Sequence, residues 1–474
     1  MFWYFPPSLL YNIDNIHKHI WEGFKVNNLE VLETNERIIP ASGLAIVGAI
    51  LDKCHFIKRF NELKNGDKRS RKHIGLGDLL ATYIVMLCMG KPSFSSVHEM
   101  DDDPEAFRLC TGISRFPSEE MLRQRMDEIG DSLHQSLQNE NVNIMKENGV
   151  IPTCIPEWFM PVDIDVTPQD NSKSHKEGVS RTYKGYNGMA PIMAYIGKEG
   201  YMINTELRPG NQHCQKGTPS FIRETISLCR KLTDKPLLFR MDSGNDAVEN
   251  IGILLEKGCY FIIKRNLRSE NKHSWLDHIK EKCTDISNPR EGKTIYIGST
   301  WKEVSLRDNS GNIYKKSIRI VYEITERTTD KYNQFLFPSD IEINMFWDNT
   351  GLPDRDVIEL YHKHGESEQF HSEFKTDMDV ERLPSGKFAT NSLVMDLAMI
   401  AYNILRMIGQ ESRGCKDGPG RKAVKRRRLR TVIVNIIMLA GNISKHSRKI
   451  ILGIGRSNAW RRTFQRVYYS FALF

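Results

Sequence analysis

Three acidic residues stand where a metal-dependent nuclease would need them: Asp165, Asp242 and Glu368. Asp165 lies in Pro161-Val-Asp-Ile-Asp-Val-Thr167, whose period-two alternation predicts a strand. Asp242 closes Pro236-Leu-Leu-Phe-Arg-Met-Asp242, a short apolar run that reads as a buried strand. Glu368 falls in the stretch Ile358 to Lys375, which reads as a helix. Two carboxylates at strand ends and a third on a later helix can hold two divalent cations, which address both obstacles to phosphodiester attack. The ions screen the repelling phosphate oxygens and stabilise the leaving alkoxide. Hard oxygen donors of this kind suit Mg²⁺, which keeps several of its waters.

The surroundings of these acids refine that reading. Asp163 shares the strand face of Asp165, with Ile164 and Val166 toward the core. Acids beside a buried strand are costly unless a cation joins them. Without such a partner they would form a solvent-facing acidic edge, and Asp242 would be an ordinary turn residue in Asp-Ser-Gly-Asn. On the helix, Tyr361, Glu368 and Lys375 recur every seventh residue and form one stripe, with His364 one turn before Glu368. Such a stripe could hold metal and phosphate; it could also be a solvated amphipathic face.

The elements that must position these residues follow from the rest of the chain. Residues from about 29 to 150 read as helical, including a helix over 77–90 and one opening at Ser118 as N-cap. Strands are predicted at 162–167, 191–196 and 201–207, a helix at 218–232 with Pro219 in its first turn, then the strand to Asp242. A helix at 246–257 and a strand at 260–264 follow. Alternating runs between about 267 and 339 look like inserted antiparallel strands, and the sheet resumes at Ile341–Asp348. The order is that of a ribonuclease-H-like α/β core. The expected divisions are a helical region over 1–155 for DNA-end binding, a first core part over 156–268 and a β insertion over 269–340. A second core part follows over 341–410, then a basic helical tail over 411–474. Lys416 to Lys422 reads as a linker.

Composition bounds the function. The net charge is +8, but residues from 411 onward hold 16 Lys/Arg against 2 Asp/Glu, a surplus of 14. The preceding 410 residues therefore carry about −6. A basic end on a mildly acidic body is expected of a chain that tracks a polyanion, and Lys425, Arg426, Arg427 and Arg428 are the candidate phosphate contacts. The nine scattered cysteines include no C-x-x-C pair, which argues against a disulfide framework or a structural zinc. His213-Cys214 lacks partner ligands at zinc spacing. The apolar runs near 79–89 and 432–440 are too short to span a bilayer, and the aromatic opening at Met1 is a poor signal peptide.

The chain resembles bacterial insertion-sequence transposases of the DDE type, and within them the group numbered 1380. Their third catalytic segment reads Y-x2-R-x3-E-x6-K, matched here by Tyr361, His364, Glu368 and Lys375, with His364 in place of Arg. Supporting stretches are Asp163–Pro168, Lys176–Gly185, Glu206–Gly210, Gln212–Gly217, Leu238–Asn245 and Glu381–Asn391. The likeness covers nearly the whole chain after about residue 35. It implies a catalytic triad of Asp165, Asp242 and Glu368 that holds two Mg²⁺ ions, for which Mn²⁺ could substitute. It implies DNA contacts by Tyr361, His364, Lys375, Arg181 and Lys184, and a homodimer on duplex DNA that cuts terminal inverted repeats and joins them to a target. It further implies a cytoplasmic, nucleoid-associated bacterial enzyme without membrane contact. Trp347 and Trp301 are candidates to stack a flipped base. The residues alone leave open a catalytically silent DNA-binding descendant, or a nuclease without strand transfer.

Overall fold

The computed structural model describes residues 33–63, 74–156, 158–307, 311–415, 418–420, 424–447 and 449–472. The aromatic opening segment, residues 1–28, lies outside the described residues, as does most of the 416–422 linker.

Nine strands form one sheet. In chain order they are β1 (Met160–Val166), β2 (Ile192–Ile196), β3 (Tyr201–Glu206), β4 (Leu237–Met241) and β5 (Tyr260–Lys264). These are followed by β6 (Asp285–Arg290), β7 (Lys293–Arg307), β8 (Ile313–Thr329) and β9 (Phe335–Asp348). The spatial order is β6-β7-β8-β9-β5-β4-β1-β2-β3. Strands β1, β4 and β5 run parallel; along one edge β2 pairs antiparallel with both β1 and β3, so β3 again runs in the direction of β1. On the other side β9 joins β5 antiparallel, so β6–β9 extend the same sheet. Strand β9 runs through the division expected between residues 340 and 341. The stretch 269–340 also carries a helix, Lys272–Lys280, which its alternating pattern did not suggest.

Central strands are apolar on both faces, as strands covered by helices on each side must be. One continuous core joins β1–β5 to α1 (Leu76–Cys88), α2 (His134–Glu147), α3 (Thr218–Leu232) and α4 (Val248–Glu256). Ser118 caps its helix as expected, its Oγ accepting from Met121 N at 3.3 Å. A second cluster covers the opposite face under α5 (Asp354–His362), through Val357 and Leu360 against Leu238, Ile262 and Phe346. The N-terminal helices thus share the core of the sheet and do not form a separately cored unit.

Beyond α6 (Glu366–Ser372) runs α7 (Phe388–Arg413), a 26-residue helix at the centre of the molecule. It is long and apolar enough to cross a membrane, but 94% of its most apolar window is buried against other elements. Two of its buried polar residues are matched to partners: Asn403 accepts from Met202 N at 2.9 Å, and Asp396 meets His134 Nδ1 at 2.9 Å. The segment after 411 is not simply helical. It forms a short helix from Leu429, a hairpin of Gly441–His446 with Lys449–Ile454 that pairs with Ile38–Ile39, and α8 (Arg461–Ala472).

Candidate active site

Strands β1 and β4 are neighbours, and their last paired residues are Ile164 and Met241. The next residue of each is an aspartate, so parallel pairing alone sets Asp165 and Asp242 side by side at the carboxyl end of the sheet. Asp242 Oδ1 accepts from Asn245 Nδ2 at 2.7 Å where the chain turns into Ser243–Asn245. Burial and the charge of Asp165 push the Asp242 carboxyl above its usual range. Burial acts the same way on Asp165, but contact with His371, reinforced by the charge of His364, holds it below that range. His371 Nε2 lies 3.3 Å from Asp165 Oδ2, out of line for a full hydrogen bond, and its Nδ1 meets the Tyr195 hydroxyl at 3.1 Å. Two carboxylates that repel each other at a cleft are suited to a shared cation.

The expected helix from 358 to 375 is broken. After α5 comes one tight turn at Lys363–Gly365, then α6, then a wide π turn at Glu373–Asp377. Gly365, a weak helix former, lies in the first break. The second break contains Glu373, drawn inward by Arg406, whose Nη2 lies 2.9 Å from Glu373 Oε2. The stripe survives both breaks: Tyr361, His364, Glu368, His371 and Lys375 line one cleft with Asp165 and Asp242. Among the described residues, no three His, Cys, Asp or Glu side chains converge closely enough to enclose an ion. Glu368 is solvent-exposed, so the acids are two neighbours and a third in the same cleft.

The donor set fits a hard divalent cation. Asp165 and Asp242 supply carboxylate oxygens, and their mutual repulsion is what a cation would relieve. The cation that the buried acid of β1 required is a protein group. Asp163 pairs with Arg240 at 2.7 Å through both its oxygens, and Asp163 is therefore a structural acid.

Several expected contacts take other forms. His364 is buried, and its Nδ1 is 2.9 Å from Asp163 Oδ1, so the ring's first partner is this acid at the cleft wall. Lys375 Nζ donates to Pro168 O at 2.7 Å and lies 3.4 Å from Glu381. Tyr361 packs on Phe346, ring centres 4.5 Å apart. Arg181 and Lys184 are exposed, Arg181 just before the turn Thr182–Tyr186 and Lys184 within it, where a small three-stranded sheet meets the cleft. Trp347 is 4% exposed and donates to Asp246 Oδ1 at 2.7 Å, so it is a core residue and not a platform for a base. Trp301, on β7, is 67% exposed.

The basic run departs most from expectation. Lys425 pairs with Glu366 at 2.6 Å and Arg428 with Asp377 at 2.9 Å. Arg426 meets Glu373 at 3.2 Å and lies over the Phe370 ring at 4.5 Å. Arg427 is buried, donating to Ser412 Oγ at 2.8 Å beneath Trp460. Lys425, Arg426 and Arg428 strap the back of α6 and the π turn, while Arg427 anchors the run to α7 through Ser412. A basic cluster binds whichever anion is nearest, and here that is the protein's own acidic helix face.

Sequence reasoning missed His371 and Tyr183. His371 continues the seven-residue spacing from His364 and could have been read from it. Tyr183 lines the cleft from the turn Thr182–Tyr186, which has no periodic pattern to expose it. Cys214, of the pair set aside as a metal site, donates its thiol to Gly244 O at 2.9 Å, and all nine cysteines are free.

Residues 24–473 match the family described as Transposase DDE domain group 1. A solved structure of piggyBac transposase, a synaptic complex with hairpin DNA, is similar at 11% identity with a TM-score of 0.41. The likeness covers 85% of this chain and 80% of that one. No match was found among curated proteins.

Proposed function

Because the chain belongs to the Transposase DDE domain group 1 family, we propose that it cuts DNA at the terminal inverted repeats of an insertion sequence and joins the freed ends to a target. The observation that carries this reading is the side-by-side placement of Asp165 and Asp242 at the ends of parallel β1 and β4, in a cleft shared with Glu368. The order β3-β2-β1-β4-β5, with β2 alone reversed and the other four strands parallel, supports a ribonuclease-H-like core. The residue pattern from Asp163 to Asn391 supports the group numbered 1380, and with it a bacterial, nucleoid-associated enzyme acting as a homodimer on duplex DNA.

Asp165 and Asp242 would hold the first Mg²⁺, and Glu368 would complete the site for a second, with Mn²⁺ as a substitute. When bound, such ions polarise the phosphate and ease deprotonation of the attacking water or hydroxyl. The chain's own residues do the rest. Arg240 and Asp163 fix β1 against β4, so the two aspartates share one height. His371, braced by Tyr195, orients the Asp165 carboxylate. Lys375 holds the Pro168 carbonyl and so the loop that leaves β1.

The test uses DNA flanking the protein's own reading frame, which should carry the inverted repeats. With Mg²⁺ the wild type should nick it and join the ends to a second duplex. Asp165→Asn, Asp242→Asn and Glu368→Gln should each bind the same DNA and nearly abolish nicking. Binding without nicking by the wild type would favour a silent DNA-binding descendant; nicking without joining would favour a plain nuclease.

A further inference from the structure

Tyr183 stands at the tip of a turn between two short strands, Ser180–Arg181 and Asn187–Met189. The turn is fixed by hydrogen bonds from Thr182 N to Tyr186 O at 2.9 Å and from Gly185 N to Thr182 O at 3.0 Å. Gly185 takes φ +87°, a conformation other residues adopt only with strain. The tip therefore presents its side chain from a defined backbone. The Tyr183 residue is 70% exposed, and its hydroxyl reaches the Val166 carbonyl at 3.4 Å, one residue past Asp165.

Tyr183 lines two neighbouring clefts. On one side is the acidic cleft of Asp165, Asp242 and Glu368. On the other is a cleft lined by Arg181, Asn211, Gln212 and His213. Val166, Tyr183 and Asp242 line both, so the two clefts adjoin at Asp242 and the Tyr183 ring. Among the described residues Arg181 has no ion-pair partner. The second cleft therefore offers an exposed guanidinium and two amide side chains beside the acidic one.

We propose that Tyr183 is a stacking platform for the nucleobase next to the scissile phosphate, with the adjoining sugar-phosphate backbone passing into the cleft of Arg181, Asn211 and Gln212. The proposal rests on the DNA-cutting reading above. A neutral phenol offers no charge to a phosphate, but its exposed face suits any base, because every base has a π face. A tyrosine hydroxyl, with an ordinary pKa of about 10, is neutral at physiological pH. One ring can then set the register between the base and the reacting phosphorus without reading sequence.

The experiment uses the full chain and the flanking-repeat duplex, with 2-aminopurine placed in turn on each side of the mapped nick. Wild type should quench the probe at one of the two positions. Tyr183→Ala should lose that quench and slow nicking about 10- to 100-fold, the range expected for one lost base–aromatic stack. Tyr183→Phe, which keeps the ring, should retain both. Quenching or nicking by Tyr183→Ala at the wild-type level would overturn the proposal, as would an equal loss in Tyr183→Phe, which would assign the role to the hydroxyl. If wild type and Asp165→Asn fail alike to nick, the DNA-cutting reading itself fails, and this inference with it.

Discussion

Arg240 and Asp163 form a buried two-pronged ion pair across β4 and β1, with Nε to Oδ1 and Nη2 to Oδ2 both at 2.7 Å. Arg240 also donates through Nη1 to Leu360 O at 2.8 Å, in α5. His364, in the turn that follows, meets Asp163 Oδ1 at 2.9 Å. One buried charge pair thus ties together the two strands that carry Asp165 and Asp242 and the helical segment that leads to Glu368. Burial works against the Asp163 carboxylate, but Arg240 and His364 hold its pKa below the usual range.

Removing one partner of this pair should be expensive. Arg240→Met leaves Asp163 charged and buried, a loss of about 3–5 kcal/mol. The double change Arg240→Met with Asp163→Leu removes both charges and should recover part of that loss. Urea unfolding of the two variants checks this. Equal losses would mean the pair is not coupled as drawn.

His364 acts first through Asp163, so donor chemistry at this position should matter more than charge. His364→Gln keeps a donor and should stay within about 1 kcal/mol of wild type. His364→Leu loses a hydrogen bond to a charged group and should cost about 1.5–3 kcal/mol. If the two substitutions are equally harmful by thermal unfolding, ring packing against Tyr361 is the dominant contact.

The basic strap should contribute to stability and not to DNA affinity. Arg426→Ala removes a partner of buried Glu373 and the contact with Phe370, and should cost about 1–3 kcal/mol. The slope of log affinity against log salt should not change, whereas a residue on phosphate would contribute about 0.9 to its magnitude. A flatter slope in Arg426→Ala or Arg427→Ala would show that these side chains leave the protein for DNA.

Acid should weaken the extended edge of the sheet through Glu270. Hydrogen bonds from Arg265, opposed by burial and aided by Trp275 and Lys302, lower its pKa to about 2. A carboxyl lowered on folding stabilises the native state above its unfolded value of about 4.3. That contribution fades as pH falls toward 2. Glu270→Gln should flatten the acid limb between about pH 4.5 and 2. Trp275, whose indole nitrogen donates to Glu270 at 2.8 Å, is a local fluorescence probe. An unchanged acid limb would remove Glu270 as its source.

Much of the fold was legible because it is written in short-range pattern. The helix at Thr218–Leu232 and the strand at Tyr260–Lys264 fall where periodicity, Pro219 and Gly258 put them. Asp165 could be picked out from the alternation of its strand and Asp242 because it ends an apolar run, and the seven-residue stripe through Glu368 survives two breaks in its helix. These signals depend only on neighbours within a turn or a strand.

Tertiary structure decided what depends on residues far apart in the chain. Nothing local pairs Asp163 with Arg240, 77 positions away, or sends the basic run at 425–428 back onto Glu366, Glu373 and Asp377. Charge count alone could not distinguish a strap from a DNA contact, since a guanidinium pairs with any carboxylate or phosphate that packing brings near. The central position of α7 and the exposure of Tyr183 above the acids were likewise invisible. Burial is a property of what packs on a residue, and period and composition record only what the residue is.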